Sequence, residues 1–164
     1  MTFPEFFDRI PAVTLRDPLA GLLGTARGGL IAYRYADAVR LAGHSCPTVA
    51  GAWLMTTRAL RALYGDATPE RGDIGVALAE AETNGVAGVI AAVAGLVTGA
   101  AGAGGFKGLG GRHARRGLLR FGVAGVAGVR FSRRDTGTAV DCRLSLESVP
   151  ADPSLGQLLQ AIVA

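Results

Sequence analysis

The sequence predicts an α+β fold: a single domain with a mixed or antiparallel sheet packed by two long helices. Two stretches, 48–64 and 86–97, carry apolar residues at helical spacing. The last third of the chain holds several short strand-like runs in succession, which favours this class over a doubly wound sheet. The chain has 164 residues and neither an internal repeat nor a linker, so we expect 1–164 to form one domain.

The N-terminal part of the chain predicts short elements bounded by Pro and Gly. In order they are an amphipathic helix over 3–10, an extended segment over 13–15, a turn at Asp17-Pro18, a strand over 30–35 and a helical turn over 37–41 that ends at Gly43. The helix over 48–64 follows. Pro47 suits the first position of this helix, because an N–H group there would have no partner within the helix and proline has none. Ser45 or Cys46 is then in the cap region.

A strand over 73–80 precedes the second long helix. Six residues of this helix recur at helical spacing and are expected to face the core: Val86, Val89, Ile90, Val93, Leu96 and Val97. The opposite side carries only Ala and Gly, which allows a second element to approach closely, so we expect burial on two sides. The remaining predictions are a glycine loop over 99–111, strands over 118–121, 128–133 and 139–146, a hairpin turn over 134–137 and a terminal helix over 154–163.

Composition and charge argue against two classes of partner. The formal charge of +4 permits an acidic partner, yet the densest basic stretch, 112–116, has no interleaved aromatic residue, so we expect no nucleic-acid binding. The 24 uncharged residues between Glu82 and Lys107 are too rich in Ala and Gly for a membrane span. With two cysteines and no signal-like N-terminus, a cytoplasmic location is expected, and a Cys46–Cys142 disulfide is the less favoured alternative.

The most informative cluster for chemistry is His44-Ser45-Cys46-Pro47, directly before the long helix. A thiol at a helix N-terminus has a lowered pKa, so Cys46 is suited to bind a metal or to act as a nucleophile. Together with the imidazole of His44 it suits Zn²⁺ or another late transition ion. Side chains at i and i+2 seldom face each other, which favours metal ligation over a nucleophile–base pair. A capped histidine beside a buried cysteine is the structural alternative.

The cluster resembles the Gly-His-x-Cys-Pro signature of the FmdE-like family, whose name comes from one of the subunits of formylmethanofuran dehydrogenase. The similarity spans about 35–142 and includes Gly51, Tyr64-Gly65, Glu82-Thr83-Asn84-Gly85-Val86, Thr98-Gly99, Lys107-Gly108 and Asp135-Thr136-Gly137. The resemblance implies that His44 and Cys46 are metal ligands, commonly for zinc, in an α+β domain that tends to form a homodimer.

The sequence departs from that family at several cysteine positions. Family members often carry cysteines where this chain has Gly85-Val86 and Ala100, and many carry a C-terminal zinc finger that this sequence lacks. A third ligand would then come from a partner protomer, from water or from one of four residues: Glu82, Asn84, His113 or Cys142. Few protein ligands make an open site, which is typical of catalysis or ligand exchange.

The glycine loop is the second candidate site. Phe106-Lys107-Gly108 breaks the Walker A order, and the dinucleotide spacing also fails, so a nucleotide fold is not expected. Successive glycines can still present N–H groups to an anion, and we expect Gly105, Lys107 and Gly108 to hold an anionic ligand beside His44 and Cys46. The alternative is a plain tight turn.

Two functions follow from these residues. The first is a transition-metal-binding FmdE-like protein that acts on a small anionic substrate, with Glu82 and Lys107 lining the pocket. The second is a metal-carrying accessory subunit that docks on a redox enzyme without catalysis of its own. A scaffold with a vestigial His-Cys pair is the third alternative.

Overall fold

The centre of the fold is a four-stranded mixed sheet, seen in a computed structural model that describes residues 2–163. Its strand order is β4-β3-β5-β6. The bounds are β3 Ile74–Leu78, β4 Leu119–Arg120, β5 Val129–Arg133 and β6 Ala139–Cys142. β3 pairs parallel to β4 and antiparallel to β5, and β5 pairs antiparallel to β6, so the predicted α+β class with a mixed sheet is confirmed.

A second sheet has two antiparallel strands and carries the N-terminal part of the chain. The elements there are β1 Val13–Arg16, β2 Leu30–Tyr33, α1 Pro18–Leu22, α2 Tyr35–Ala42 and two short 3-10 helices, Glu5–Arg9 and Arg27–Gly29. Three features differ from prediction, the first being that the expected turn at Asp17-Pro18 is the start of α1. The first helix is one 3-10 segment, and Tyr35 begins α2 instead of ending a strand, because α2 starts where Asp37 accepts a hydrogen bond of 2.8 Å from the Arg34 N–H.

Two long helices pack on the sheet, α3 Pro47–Tyr64 and α4 Ala87–Thr98. Pro47 is at the first position of α3 and Cys46 is its N-cap residue, as predicted. Trp53 and Leu60 of α3 are almost completely buried, and Phe131 of β5 joins them in the core. A side chain at Gly51 would collide with Leu144, so the absence of a Cβ at position 51 lets the chain after β6 lie directly against α3.

Burial of α4 agrees with the prediction in part, because two sides of the helix are buried but the start of its apolar stripe is exposed. Ala87, Ala91 and Ala94 are buried, whereas Val86 is 47% exposed and Val89 is 37% exposed. The small residues face the core because α3 packs closely against this side of α4, where longer side chains would keep the two helices apart. Val93 and Val97 are buried as predicted.

The two long helices run in the same direction across the sheet. The C-terminal end of α4 lies at the start of β3, where the Gly72 N–H bonds the Thr98 carbonyl at 2.8 Å. The end of α3 lies there too, because Arg133, opposite Ile74 in the sheet, donates to the Leu63 carbonyl at 3.2 Å. We call this the Ile74 end of the sheet. The helices therefore begin toward the opposite end, which we call the Leu78 end.

The C-terminal part confirms the predicted hairpin and the final helix. β5 and β6 are joined by the turn over 134–137, closed by a 2.9 Å bond from the Arg133 N–H to the Thr138 carbonyl. β6 ends at Cys142, four residues before the predicted end of its strand. The last helix, α5 Leu155–Val163, buries none of its residues. Among residues 2–163, no helix combines the length and the apolar character that crossing a membrane requires.

Candidate functional site

The backbone before α3 is held in place from both sides. α2 ends at Gly43, whose φ of 76° is the left-handed conformation that terminates helices and that glycine adopts without strain. Residues 44–46 then lead directly into α3. The Tyr35 hydroxyl lies 2.7 Å from the Ser45 hydroxyl, and the Tyr35 ring packs edge-on against Trp53 at 6.3 Å between centroids. The segment that carries His44 and Cys46 is thus attached to the core.

One ring nitrogen of His44 is committed to the backbone. Nδ1 lies 2.9 Å from the Ala42 carbonyl oxygen, and because a carbonyl can only accept, Nδ1 carries the proton. In the neutral imidazole, Nε2 then keeps its lone pair. A backbone carbonyl on Nδ1 is the usual way in which proteins orient a histidine that binds a metal through Nε2.

His44 and Cys46 influence each other's pKa across two residues of the chain. Partial burial raises the pKa of the Cys46 thiol, but the N–H groups of Val49 and Thr48 and the His44 ring outweigh burial, so its pKa lies below the usual value. The Ala42 carbonyl, followed by Cys46, raises the pKa of His44. Each shift favours the charged form of its own group, the thiolate of Cys46 and the imidazolium of His44.

The chain offers a direct test of this shift, because Cys142 is the other cysteine. Burial, aided by Asp141, raises the pKa of the Cys142 thiol. We expect alkylation of EDTA-treated Cys142→Ser protein to rise with a midpoint below about 8.5, the value of an ordinary thiol. In Cys46→Ser protein the midpoint should lie above it. His44→Ala should move the Cys46 midpoint upward, and coincident midpoints for the two cysteines would contradict the assignment.

The predicted third ligands are distributed over both ends of the sheet. Glu82 and Asn84 are exposed in the turn between β3 and α4, and Cys142 lies at the end of β6 with its Sγ 3.7 Å from the Met55 carbonyl, all toward the Leu78 end. His113 lines a small polar cavity of about 110 Å³ at the Ile74 end, beside Asp73. Within residues 2–163, no three His, Cys, Asp or Glu side chains form a group that could hold a metal.

The glycine loop also lies at the Ile74 end. It starts where α4 ends, and the Phe106 carbonyl, next to Lys107, accepts the Arg115 N–H at 2.8 Å. A Cβ at Gly105 would crowd the Arg116 backbone, and one at Gly108 would collide with the Arg112 carbonyl, so these glycines permit close backbone packing. His44 and Cys46 lie just before the start of α3, toward the Leu78 end. The structure therefore does not bring the glycine loop together with them.

A buried ion-pair network anchors this loop, and sequence reasoning missed it. Asp17 is 4% exposed; its Oδ1 accepts a 2.6 Å bond from Arg115 Nη2, and its Oδ2 accepts a 2.8 Å bond from Arg71 Nη1. Oδ1 also caps α1 through the Leu19 and Ala20 N–H groups. Arg71 donates further to the last carbonyls of α4, at Leu96 and Val97. The Asp17-Pro18 pair could have predicted the cap, but no sequence signal predicts the two arginine partners.

The chain matches no protein-family model, no curated protein and no solved structure. The FmdE-like resemblance therefore stays a prediction from the residues that carry it.

Proposed function

We propose that the protein binds a transition-metal ion, zinc by preference, through His44 Nε2 and Cys46 Sγ at the start of α3. The observation that carries the proposal is the 2.9 Å contact between His44 Nδ1 and the Ala42 carbonyl, which leaves Nε2 as the ligating nitrogen. The lowered pKa of Cys46 supports it, because a thiolate is the form that ligates zinc.

A site with two protein ligands leaves coordination positions for exchangeable ligands. Tetrahedral zinc needs four donors, and catalytic zinc sites keep at least one for water or substrate. Water or a small anion can occupy the remaining positions at His44, which is exposed. This arrangement fits a metal that polarises or activates a small molecule better than it fits a closed structural zinc site.

Co²⁺ provides the test, because cobalt bound to a thiolate absorbs strongly in the near ultraviolet. We expect the untagged protein to show this absorption, and Cys46→Ser to lose it. His44→Ala should weaken binding by about 10–100-fold or more. Cys142→Ser is the matched control and should bind as the natural protein does. Binding that survives Cys46→Ser, or a protein with no cobalt–thiolate absorption at all, would refute the proposal.

The same cobalt spectrum separates catalysis from an accessory role. An exchangeable position predicts that azide, acetate or phosphate shifts the visible bands of the bound ion, as expected for a protein that acts on a small anionic substrate. A metal-carrying accessory subunit that docks on a redox enzyme needs no such position, so its spectrum would not respond to these anions.

The opposite pKa shifts of His44 and Cys46 favour a second candidate, a thiolate nucleophile activated by the imidazole. This chemistry requires no metal. It predicts that thiol-dependent reaction with a model ester or disulfide is fastest in EDTA-treated protein, whereas added Zn²⁺ inhibits it. The metal-binding function predicts the reverse order for any activity toward a small substrate.

A further inference from the structure

A groove of about 590 Å³ runs along the second half of α3. Its walls are the segments 10–13 and 65–69, and its floor is formed by Trp53 and Leu60 of α3, which are 2% and 1% exposed. Small-molecule sites are mostly apolar clefts of roughly 300–1,000 Å³. The groove can therefore hold the apolar part of a small ligand.

The charged groups that line this groove, within residues 2–163, all have the same sign. They are the guanidinium groups of Arg58 and Arg61, and both side chains are exposed. The ion pairs in that part of the chain involve other arginines, so neither group has an acidic partner there. Asp66, in one of the wall segments, does not line the groove. An apolar groove with two unpaired cations fits a ligand that has an anionic head and an apolar body.

The dipole of α3 accounts for only one of the two arginines. A cation is favourable in the last turn of a helix, where Arg61 lies, and the effect fades beyond that turn. Arg58 lies one turn earlier on the same face, and like charges at this spacing repel each other. A bound anion would offset the repulsion. A carboxylate suits the position, because it has one oxygen for each guanidinium group.

Two other cavities fit such a ligand less well. The groove of about 460 Å³ between α3, α4 and β6 is lined by both Glu80 and Arg143, so an anionic head would face a carboxylate there. The polar cavity beside His113 holds about 110 Å³, which is too small for an apolar body. The groove along α3 is therefore the one of these three whose size and charge both match.

We propose that this groove binds an apolar monocarboxylate, a hydrocarbon chain that ends in one carboxylate. Arg58 and Arg61 hold the carboxylate, and the chain lies against Trp53 and Leu60. This site is separate from His44 and Cys46, which precede the other end of α3. The affinity depends on both parts of the ligand, because the arginines select the head and the apolar lining selects the body.

Octanoate is the probe, and calorimetry of EDTA-treated protein keeps the result independent of metal binding. We expect one octanoate to bind per chain. Hexanoate should bind roughly 4- to 16-fold more weakly, because each buried methylene contributes roughly two- to fourfold. Octanol, which has the same chain without the charge, should bind at least about tenfold more weakly. Equal affinity for octanol, equal affinity for acetate, or tighter binding of octyl phosphate than of octanoate overturns the proposal.

The double variant Arg58→Gln, Arg61→Gln tests the head-group contact. It should lower the affinity for octanoate by at least about tenfold and leave the affinity for octanol unchanged. Arg143→Gln is the matched control, because it removes an exposed arginine that lines the other groove, and its effect should stay within about twofold. Both arginines of α3 are exposed, so far-ultraviolet circular dichroism of the double variant should match the parent. Parental affinity for octanoate in the double variant refutes the assignment.

Trp53 reports where the ligand binds, because it lines the groove and is the one tryptophan in the chain. Bromine quenches the fluorescence of a tryptophan that it contacts. We expect ω-bromo-octanoate to quench the emission of Trp53 saturably, with the same dissociation constant that calorimetry gives. Binding of octanoate without quenching by the bromo derivative would place the ligand elsewhere and overturn the proposal.

Discussion

Replacing Asp17 with Asn is expected to lower the free energy of unfolding by about 3–5 kcal/mol at pH 7, as is usual when one partner of a buried ion pair is removed. Asp17 is 4% exposed and satisfies both Arg71 and Arg115, of which Arg115 is 7% exposed. Without the carboxylate, the buried guanidinium of Arg115 and the half-buried guanidinium of Arg71 lose their counter-charge. Urea unfolding followed by the fluorescence of the one tryptophan measures the loss.

Asn is chosen because it still caps α1, so the change reports on charge and not on helix capping. Asp141→Asn is the matched control, since Asp141 pairs with Arg130 at the surface, and exposed pairs contribute only about 0–1 kcal/mol. Equal losses in the two variants would show that the buried network does not hold the fold.

The contribution of Asp17 to the free energy of unfolding is also expected to depend on pH. Burial raises the pKa of Asp17, but bonds from Arg71 and Ala20 and the charge of Arg115 outweigh it, so its pKa in the folded protein lies below the ordinary 3.8. A carboxyl group whose pKa is lowered by folding stabilises the fold at pH values above its pKa in the unfolded chain. This stabilisation is lost as the pH falls through the pKa of the folded protein. We therefore expect the stability difference between parent and Asp17→Asn to be constant near neutrality and to shrink below about pH 4.

Replacing Trp53 with Ala is expected to lower the free energy of unfolding by about 3–5 kcal/mol, because truncating a buried aromatic residue leaves a cavity. Trp53 is 2% exposed in the middle of α3, and its ring faces Tyr35. Since the chain has one tryptophan, unfolding must be followed by circular dichroism at 222 nm.

Leu54→Ala is the control for Trp53→Ala, because Leu54 is the next residue of α3 and is 48% exposed. Its effect should stay within about 0.5–1 kcal/mol, since alanine is a better helix former and little buried surface is lost. A comparable loss in both variants would mean that α3 contributes through its helical backbone and not through the packing of Trp53.

Local patterns predicted the elements because local interactions determine them. Pro47 and Cys46 define the start of α3 through backbone geometry alone, and the hairpin turn over 134–137 follows from its own residues. The exposure of Val86 and Val89 could not be predicted in this way, because the local pattern gives both the branched face and the alanine face of α4 reasons to be buried. The approach of α3 decides that Ala87 and Ala91 face the core and that Val86 does not.

In the candidate site, too, some features follow from local sequence and others depend on tertiary packing. His44 and Cys46 are recognisable from four consecutive residues, but the bond from His44 Nδ1 to the Ala42 carbonyl depends on the turn that follows α2 at Gly43. The position of Lys107 depends on where α4 ends, which no local pattern contains. The partners of Asp17 are 54 and 98 residues away in the chain, beyond the range of any motif.

The common direction of α3 and α4 gives the molecule an electrical polarity. Helix dipoles that point the same way add, so the Leu78 end carries the partial positive charge of two helix starts and the Ile74 end carries two helix C-termini. Cys46, whose thiol pKa is lowered, and the guanidinium of Arg71 against the Leu96 and Val97 carbonyls each lie at the pole that favours their charge. The same backbone arrangement thus stabilises an anion at one end of the sheet and a cation at the other.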